Sequence, residues 1–589
     1  MVGFARFGVV TAATLALTGF SQARDFSEAT LAALDPVRIA QTVCGGERGG
    51  RVLASRLFIA SAFASPASEA PPMPLFSDLT GSHFPVTTSS DRARRYFSQG
   101  LMLAYGFNHA GAVRSFREGQ RSDPDCAMCW WGEAVALGPN INAPMDDRDR
   151  ESALAALDRA VALRDRVSPV ERSLIEALAT RYSRNPAADR ARLDAAYADA
   201  MLAVARQYPA DDDVAVLAAE AAMNTTPWNY WEADRKTPIG RSGEAIRLVE
   251  EVQARNPGHA QAIHLAIHLL EASDPQRAEA AADRLAKPLV PSAAHLVHMP
   301  GHIYYARGRY ADSMRVNVAA ARVDEAYFRT AGDHGLVRYG YYPHNIHFIV
   351  TSAQMAGDMG TAVREAQRLR TVLDPATSAK IAWIQAIDAA PYLAMAQFAE
   401  PEAILAMPEP DARLPYARAM RHYARAVAHA HRNDPAGFNL EMAAIDRIAA
   451  SPALDELVAQ GMPAPDLLAL AQAVARGRQA MQGGNFARAA DHYRAAITIE
   501  GRLPYQEPPY WYYPVRQSLG AALFLAGRYD EASQSFRDAL VQSPQNGWAL
   551  YGLMRSEQAL GHALEAAAAR KAFTKAWVGE RRRLRMDRL

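Results

Sequence analysis

The sequence has few cysteines, little net charge and no long apolar run beyond its N-terminal segment. Three cysteines among 589 residues exclude a scaffold held by many disulfides and a protein built around thiolate metal clusters. A formal net charge of +1 argues against a general nucleic-acid binder, whose surface carries a basic excess. After the N-terminal segment no stretch approaches the length of a membrane span, so we expect no transmembrane helix there.

The composition is that of a folded protein. Half of the residues are hydrophobic and 22% are charged, which excludes an intrinsically disordered chain. The length corresponds to several compact domains or to one repetitive domain. From about residue 90 onward the hydrophobic pattern is helical, and alternation typical of strands is nearly absent.

The first ninety residues predict export. Arg6, the apolar run 7–20 and the small residues Ser21 and Ala23 have the order of a signal peptide over residues 1–23. An amphipathic or disordered tail is the alternative. Residues 52–70 form a second signal-like segment, and either signal leads to the periplasm or the cell exterior. Residues 24–89 are otherwise expected to be a linker of low order.

A repeat of about 34 residues organises the rest of the chain. Small residues at two positions allow antiparallel helices to approach, and large residues fill the seam between them. The clearest copy consists of Leu519, Gly520, Leu523, Gly527, Tyr529, Ala532, Phe536, Ala539 and Pro544. Further copies begin near residues 100, 259, 301, 343 and 478. Because the same spacings recur in so many copies, we predict one repetitive domain and not several compact domains.

The pattern resembles the tetratricopeptide repeat family over roughly residues 90–575. The resemblance implies an all-α, right-handed superhelical solenoid of helix hairpins, with an N-terminal part at 90–380 and a C-terminal part at 381–589 that ends in a capping helix. The phrases at 105–109, 138–142, 298–304 and 507–514 are similar to a bacterial exported subgroup. That likeness implies fold and location and leaves the chemistry open.

Histidines collect at equivalent positions of neighbouring repeats. His295, His298 and His302 share one stripe of a helix, away from its packing side. Aligning the next repeat places His344 and His347 at the positions of His295 and His298. Because this face of a first helix lines the concave side of a solenoid, we expect the five histidines to lie together in the groove.

The preceding repeat adds His264, His268 and Glu271, which share one helix face as flanking ligands or as support for the ligands. Imidazoles with a carboxylate suit zinc, copper, iron or nickel. A site with three histidine ligands and an open position can polarise a carbonyl or activate water or dioxygen. Glu271 or Asp333 would then be the base.

Other readings of the same residues remain open. One alternative is a non-catalytic scaffold whose groove binds an extended peptide or a partner protein, which is the common use of the family that the pattern resembles. A third reading is an enzyme without metal that uses histidine as a general base. The histidines can also be purely structural.

Weaker signals complete the prediction. Cys126 and Cys129 suit a local disulfide, half of a metal site or a buried pair at a helix seam. Candidate ligand contacts in the groove are His109, Asn140, Asn142, Trp228, Trp231 and Tyr512. Aromatic residues of this kind also plug irregular joints between repeats. The arginine run at 581–588 is read as part of the capping end.

Overall fold

The computed structural model describes residues 72–80, 84–142, 144–332 and 335–589. These residues do not include the signal peptide expected at 1–23, the alternative at 52–70 or most of the expected linker. Asp333 and the third cysteine, Cys44, also lie outside them. Within them, no helix is both long and apolar enough to cross a membrane.

The described residues form helices, with a single isolated bridge between Trp231 and Pro238 as the extended pairing among them. The first half contains α1 (Asp91–Tyr105), α2 (His109–Ser122), α3 (Ala127–Ala136), α4 (Arg150–Leu163), α5 (Pro169–Ala179), α6 (Arg190–Gln207), α7 (Asp212–Met223), α8 (Ser242–Arg255), α9 (Ala260–Leu270), α10 (Pro275–Leu285), α11 (Ala294–His298), α12 (Pro300–Ala306) and α13 (Tyr310–Ala331).

The second half continues with α14 (Tyr342–Ala356), α15 (Met359–Val372), α16 (Pro375–Ser378), α17 (Ala382–Phe398), α18 (Pro401–Leu405), α19 (Pro415–His431), α20 (Pro435–Ala449), α21 (Asp455–Ala459), α22 (Ala464–Gln482), α23 (Phe486–Glu500), α24 (Val515–Leu525), α25 (Tyr529–Gln542), α26 (Gly547–Leu560) and α27 (Ala563–Ala576). Most helices pack on the next helix along the chain. The all-α repeat array expected from the sequence is therefore confirmed.

Aromatic rings fitted between glycines hold successive helices together. The ring of Phe116 lies against Gly100 and Gly132, and that of Phe536 lies against Gly520 and Gly552. A Cβ atom at any of the four glycines would come within 3 Å of the ring. The small residues of the repeat thus allow helix contact as the spacing predicts.

Contacts between distant repeats draw the array together around its middle. Arg114 donates to the carbonyl of Ala331 at 2.9 Å from the N-terminal side. From the C-terminal side, the Trp548 indole donates to the carbonyl of Gln354 at 2.8 Å. Residues between about 260 and 350 therefore have chain from both ends packed on them. The expected division at 380/381 stays a prediction.

Replacing Gly552 by alanine should destabilise the protein by about 1–3 kcal/mol, because the added methyl group overpacks the seam. Its Cβ would lie 2.2 Å from the Phe536 ring. Urea unfolding followed by circular dichroism measures this change.

Gly360→Ala is the matched control, since the nearest atom to its Cβ is 3.8 Å away. Alanine in this helix should be neutral or stabilising by up to about 1 kcal/mol. Equal effects of the two substitutions would contradict the packing account.

Candidate metal centre

Six histidines and two glutamates from different repeats form one contiguous cluster in the middle of the array. The cluster contains three groups of three residues, and within each group one potential ligand atom per residue lies within 4.8 Å of the other two. They are His264, His268 and His295; His298, His302 and His344; and Glu271, His302 and Glu507. We call the first two the upstream triad and the downstream triad.

Helix geometry explains how each repeat places its histidines and carboxylate in the cluster. His264 and His268 are one turn apart on α9, and Glu271 follows as the C-cap of that helix. His298 ends α11 and His302 lies in α12, which begins at Pro300. Spacings of three and four residues keep these side chains on one face, so two short segments supply most of the cluster.

The neighbouring repeat is set at a constant offset of 46 residues. His295 contacts Tyr341, His298 contacts His344 and His302 contacts Phe348, with ring centroids 5.0, 5.0 and 4.9 Å apart. The sequence alignment placed His344 opposite His295 and His347 opposite His298. It was out of register by three residues, close to one helical turn.

The cluster is buried and does not line an open groove. His264 and His298 have no exposed surface, and His295 is 8% exposed. Phe107, at the corner between α1 and α2, lies over His264, His268 and His295, with ring centroids 4.6–5.8 Å apart. The groove expected from repeat geometry is therefore filled here by the chain's own side chains.

In the upstream triad, hydrogen bonds fix the ring tautomers. The amide of Gln261 donates to Glu220, so its oxygen accepts from His264 Nδ1 at 3.0 Å. The Nδ1 atom of His268 lies 3.0 Å from a Glu271 oxygen. Burial lowers the pKa of both histidines well below the ordinary value. From these partners we assign the proton of each neutral ring to Nδ1, which leaves the two Nε2 lone pairs facing each other at 3.0 Å.

The third member of the upstream triad has an unused nitrogen. His295 Nε2 is buried and has no hydrogen-bond partner. Burial, reinforced by the neighbouring imidazoles, lowers the pKa of His295 well below its ordinary value. The triad therefore directs unshared lone pairs into a space from which water is excluded, and this is an expensive arrangement for neutral polar atoms.

The downstream triad contains one ring with both nitrogens protonated. Asn317 donates to the Ser313 carbonyl and accepts from His298 Nδ1 at 2.6 Å, so His298 Nε2 is an acceptor. That atom lies 2.7 Å from His302 Nε2, which must donate to it. Burial alone lowers the pKa of His302, but Glu271 and Glu507 outweigh this and raise it to about 10.

Glu271 joins the two triads. One of its oxygens contacts His268 Nδ1 at 3.0 Å, and the other contacts His302 Nδ1 at 2.6 Å. Glu507 also accepts from His302 Nδ1. Burial, with the charge of Glu271, raises the pKa of Glu507 to about 8. One carboxylate thus orients a ring in each triad.

Other residues expected at the site lie around this cluster. His347 belongs to none of the three ligand groups, and burial lowers its pKa to about 3. Trp228 packs edge-on against His268, with ring centroids 5.0 Å apart. Trp231 instead donates to the Leu269 carbonyl at 2.6 Å. Tyr512 contacts the Tyr423 hydroxyl at 3.1 Å in the C-terminal core.

The residues predicted near the N-terminal end form a supporting layer. His109 Nδ1 lies 2.8 Å from the Ala136 carbonyl, and Asn140 contacts its ring. Burial lowers the pKa of His109 to about 4. Asn142 donates to the hydroxyl of Tyr341, the ring that contacts His295.

The two cysteines at the start of α3 are joined. Cys126 and Cys129 form a disulfide in the structure and are fully buried. They lie outside the three ligand groups. The sequence left open a local disulfide, half of a metal site or a buried pair, and the structure contains the local disulfide.

Several residues of the site were not found from the sequence. Glu507 lies 205 positions from His302, and its signal was the proline- and tyrosine-rich phrase at 507–514. Phe107 belonged to the phrase at 105–109, another of the four that the sequence analysis singled out. Gln261 and Asn317 carried no signal, because their role is to fix tautomers through contacts that sequence spacing does not reveal.

Comparisons with known proteins bear on the fold alone. No protein-family model and no curated protein matches the sequence. Among solved structures, the human IFIT1 dimer with m7Gppp-AAAA is 10% identical and covers 93% of this chain and 99% of its own, with a TM-score of 0.31. The TPR domain of P58(IPK) is 11% identical over 80% of this chain and 99% of its own, with a TM-score of 0.21.

The APC/C hetero-tetramer Cut9–Hcn1 is 13% identical over 82% of this chain and 90% of its own, with a TM-score of 0.24. At such scores the likeness adds no weight. The repeat fold rests on this chain's own helix pairs and on the glycine–aromatic seams described above.

Phe107→Ala should open the cluster to solvent, because this ring covers three of its imidazoles. We expect the histidines to react several-fold faster with diethyl pyrocarbonate, followed at 240 nm and located by mass spectrometry.

Phe97→Ala is the control, since Phe97 is equally buried but packs against Phe84 and Phe116. Both substitutions remove a core ring at a cost of about 3–5 kcal/mol. If both variants gave the same histidine reactivity, the covering role of Phe107 would be wrong.

Proposed function

We propose that this protein is a helical-repeat scaffold that binds two transition-metal ions in its interior, one in each histidine triad. The observation that carries the proposal is the pair of Nε2 lone pairs of His264 and His268, which face each other at 3.0 Å. Two such lone pairs repel each other unless a cation lies between them.

The geometry suits a metal ion as that cation. Imidazole nitrogens bound to one ion at about 2.0–2.1 Å lie about 3 Å apart when they are neighbouring ligands. The free Nε2 of His295 belongs to the same group of ligand atoms. Three neutral imidazoles without a thiolate suit copper or zinc.

The downstream triad supports a second ion by the same logic. The 2.7 Å separation of His298 Nε2 and His302 Nε2 is bridged by a proton, and His344 is the third ligand of this group. An ion here would replace the proton on His302. The rings of His298 and His295 are 5.7 Å apart, so the two ions would be neighbours.

Residues that orient the ligands are already in place. Metal-bound histidines usually donate their other N–H group to a carboxylate or carbonyl oxygen. Gln261, Glu271 and Asn317 accept from three of the six rings, and Glu271 is also ion-paired with a fourth, that of His302. This support orients the rings as a metal-bound histidine requires.

The burial of the cluster favours metal over the peptide-binding alternative. An extended peptide needs exposed side chains along a groove, whereas His264, His268, His298 and His302 are all at most 5% exposed. A metal ion is small enough to use ligands that a peptide would not reach.

Metal stoichiometry tests the proposal. After dialysis against Zn²⁺ or Cu²⁺ and gel filtration, elemental analysis should find two ions per chain in the wild type. His264→Ala and His298→Ala should each retain one ion, because each removes a ligand from a different triad.

His562→Ala is the matched control, since this side chain is half exposed beside Glu557 and far along the chain from the cluster. It should keep both ions. Less than one ion in the folded wild type, or the same content in the control and the two triad variants, would overturn the proposal.

Glu271→Gln should lower the affinity for both ions by about 10–100-fold, which is the usual effect of losing a carboxylate that orients a metal ligand. The amide accepts from one ring but loses the negative charge shared by His268 and His302. Competition with a chromophoric chelator measures the two affinities.

Glu441→Gln is the comparison variant, because Glu441 is also buried and contacts a histidine, His422, outside the cluster. It should leave both affinities unchanged. A loss confined to one ion in Glu271→Gln would show that Glu271 does not couple the triads.

A further inference from the structure

A cavity of about 200 Å³ lies beside the candidate metal centre. It is enclosed by α12, the start of α13, the segment 503–514 and the end of α25. Pro509 on its lining is exposed, and Leu503 and Tyr505 are half-buried, so the cavity reaches the protein surface. An apolar cavity of roughly 150 Å³ holds one benzene molecule, and this cavity therefore has room for a single substituted ring.

Aromatic and proline residues supply much of the wall. The rings are those of Tyr305, Tyr310, Tyr505, Tyr510, Trp511, Tyr512 and Tyr513, and the prolines include Pro504, Pro509 and Pro544. Flat, rigid surfaces of this kind bind compact molecules that carry an aromatic ring.

Five tyrosine hydroxyls of the wall are bonded to other side chains of the protein. The partners are Glu507 for Tyr505, Tyr423 for Tyr512, Ser518 for Tyr513, Thr351 for Tyr305 and Ser543 for Tyr310. Because these hydroxyls are already engaged, the tyrosines offer a ligand mainly the carbon surface of their rings.

The charged groups around the wall balance one another. The acids on the lining are Glu271, Glu500 and Glu507, the bases on the lining are Arg235 and Arg307, and the imidazolium of His302 contacts two of the acids. Three groups of each sign thus surround the cavity. Neither an anion nor a cation is selected by the net charge of this wall.

These charged groups also have partners within the protein. Arg307 is paired at 2.9 Å with Glu279, which is not part of the lining, and Arg235 is likewise engaged. Glu500 accepts hydrogen bonds from the backbone of Val515 and the amide of Gln542, and burial raises its pKa to about 7. A charged ligand would therefore lose its hydration without gaining an unpaired counter-charge.

Two residues of the wall carry polar atoms that a ligand can satisfy. The indole N–H of Trp511 and the side-chain oxygen of Gln506 are buried without a hydrogen-bond partner in the described part of the chain. A buried polar atom of this kind is costly until a partner reaches it. A hydroxyl group can accept from the first atom or donate to the second.

We propose that this cavity binds an uncharged molecule with one aromatic ring and a hydroxyl group, that is, a phenol or a small aryl alcohol. The tyrosine and proline walls hold the ring, and Trp511 or Gln506 bonds to the hydroxyl. The site goes beyond the proposed metal function, because its lining consists of residues other than the two histidine triads.

Four probes of similar size separate these contributions: 4-methylphenol, 4-fluorotoluene, benzylamine and benzoate. The phenol is uncharged at neutral pH, whereas the amine and the carboxylate are not. Titration calorimetry with the full-length protein should show 4-methylphenol binding at least tenfold more tightly than either charged probe. It should also bind several-fold more tightly than 4-fluorotoluene, which lacks the hydroxyl.

Three results of this titration would contradict the proposal. Absence of 4-methylphenol binding to folded protein overturns it, as does a charged probe that binds equally well. Equal affinity for 4-fluorotoluene would show that the hydroxyl is not recognised, and a phenol site would then be wrong.

Variants of two wall residues locate the bound probe. Ala306 lies on the lining and is half-buried. Ala306→Trp should fill the space and abolish binding of 4-methylphenol, whereas Ala306→Ser should bind it like the wild type. Trp511→Phe keeps a ring but removes the N–H, so it should weaken 4-methylphenol several-fold and leave 4-fluorotoluene unchanged.

Circular dichroism establishes that each variant is folded. Binding of 4-methylphenol that survives in folded Ala306→Trp overturns the cavity site. Should that variant fail to fold, Trp511→Phe decides, and equal weakening of the phenol and the fluoro compound contradicts the hydrogen bond.

The titration also separates this inference from the metal proposal. Metal-free and zinc-loaded protein should bind 4-methylphenol with nearly the same affinity. Binding that occurs only with the ion present would place the phenol on the metal and overturn the cavity site. If the protein takes up no zinc, the metal proposal fails and the titration of metal-free protein still decides the cavity site.

Discussion

The organisation of the site depends on one buried carboxylate, that of Glu271. Its two oxygens hold His268 and His302 through their Nδ1 atoms, and both rings consequently turn Nε2 toward other imidazoles. An isolated carboxylate is costly to bury. Here the imidazolium of His302 offsets that cost, and the C-cap position after α9 fixes where the carboxylate lies. The histidine positions in two repeats are thereby tied to a single residue.

Burying the imidazoles is costly for a different reason than burying the Glu271 charge. Most of the rings are neutral, and their acceptor nitrogens have no water to bond. Burial lowers the pKa of His264, His268, His295 and His298, so protons do not readily fill the space between the rings. Mutual repulsion of lone pairs would ordinarily push such side chains apart. The ordered donors and acceptors behind the rings oppose that movement. A fold that maintains this arrangement gains most from a bound cation, which is the basis of the metal proposal.

Sequence reasoning found the repeat and most of the clustered histidines but missed the residues that cover the cluster. Gly520 and Phe536 revealed the helix pairs because local spacing determines their contact. His264, His268, His295, His298 and His302 followed from helical periodicity for the same reason. The register of His344 depended on how two repeats stack, and the alignment erred by one turn. Glu507 and Phe107 were not found by periodicity, since contacts between distant parts of the chain, such as that of Glu507 with His302 across 205 residues, leave no periodic trace in a single sequence.

These long-range contacts also set this molecule apart from a simple solenoid, in which each repeat contacts only its neighbours. A nearest-neighbour array can lose a terminal repeat without affecting its middle. Here the corner at Phe107 and the segment around Glu507 both cover residues of the central repeats. The central histidines are therefore dry only when both ends of the array are folded onto them. Exclusion of water strengthens every electrostatic interaction at the cluster, so the chemistry of the site is a property of the whole closed array and not of the histidine repeats alone.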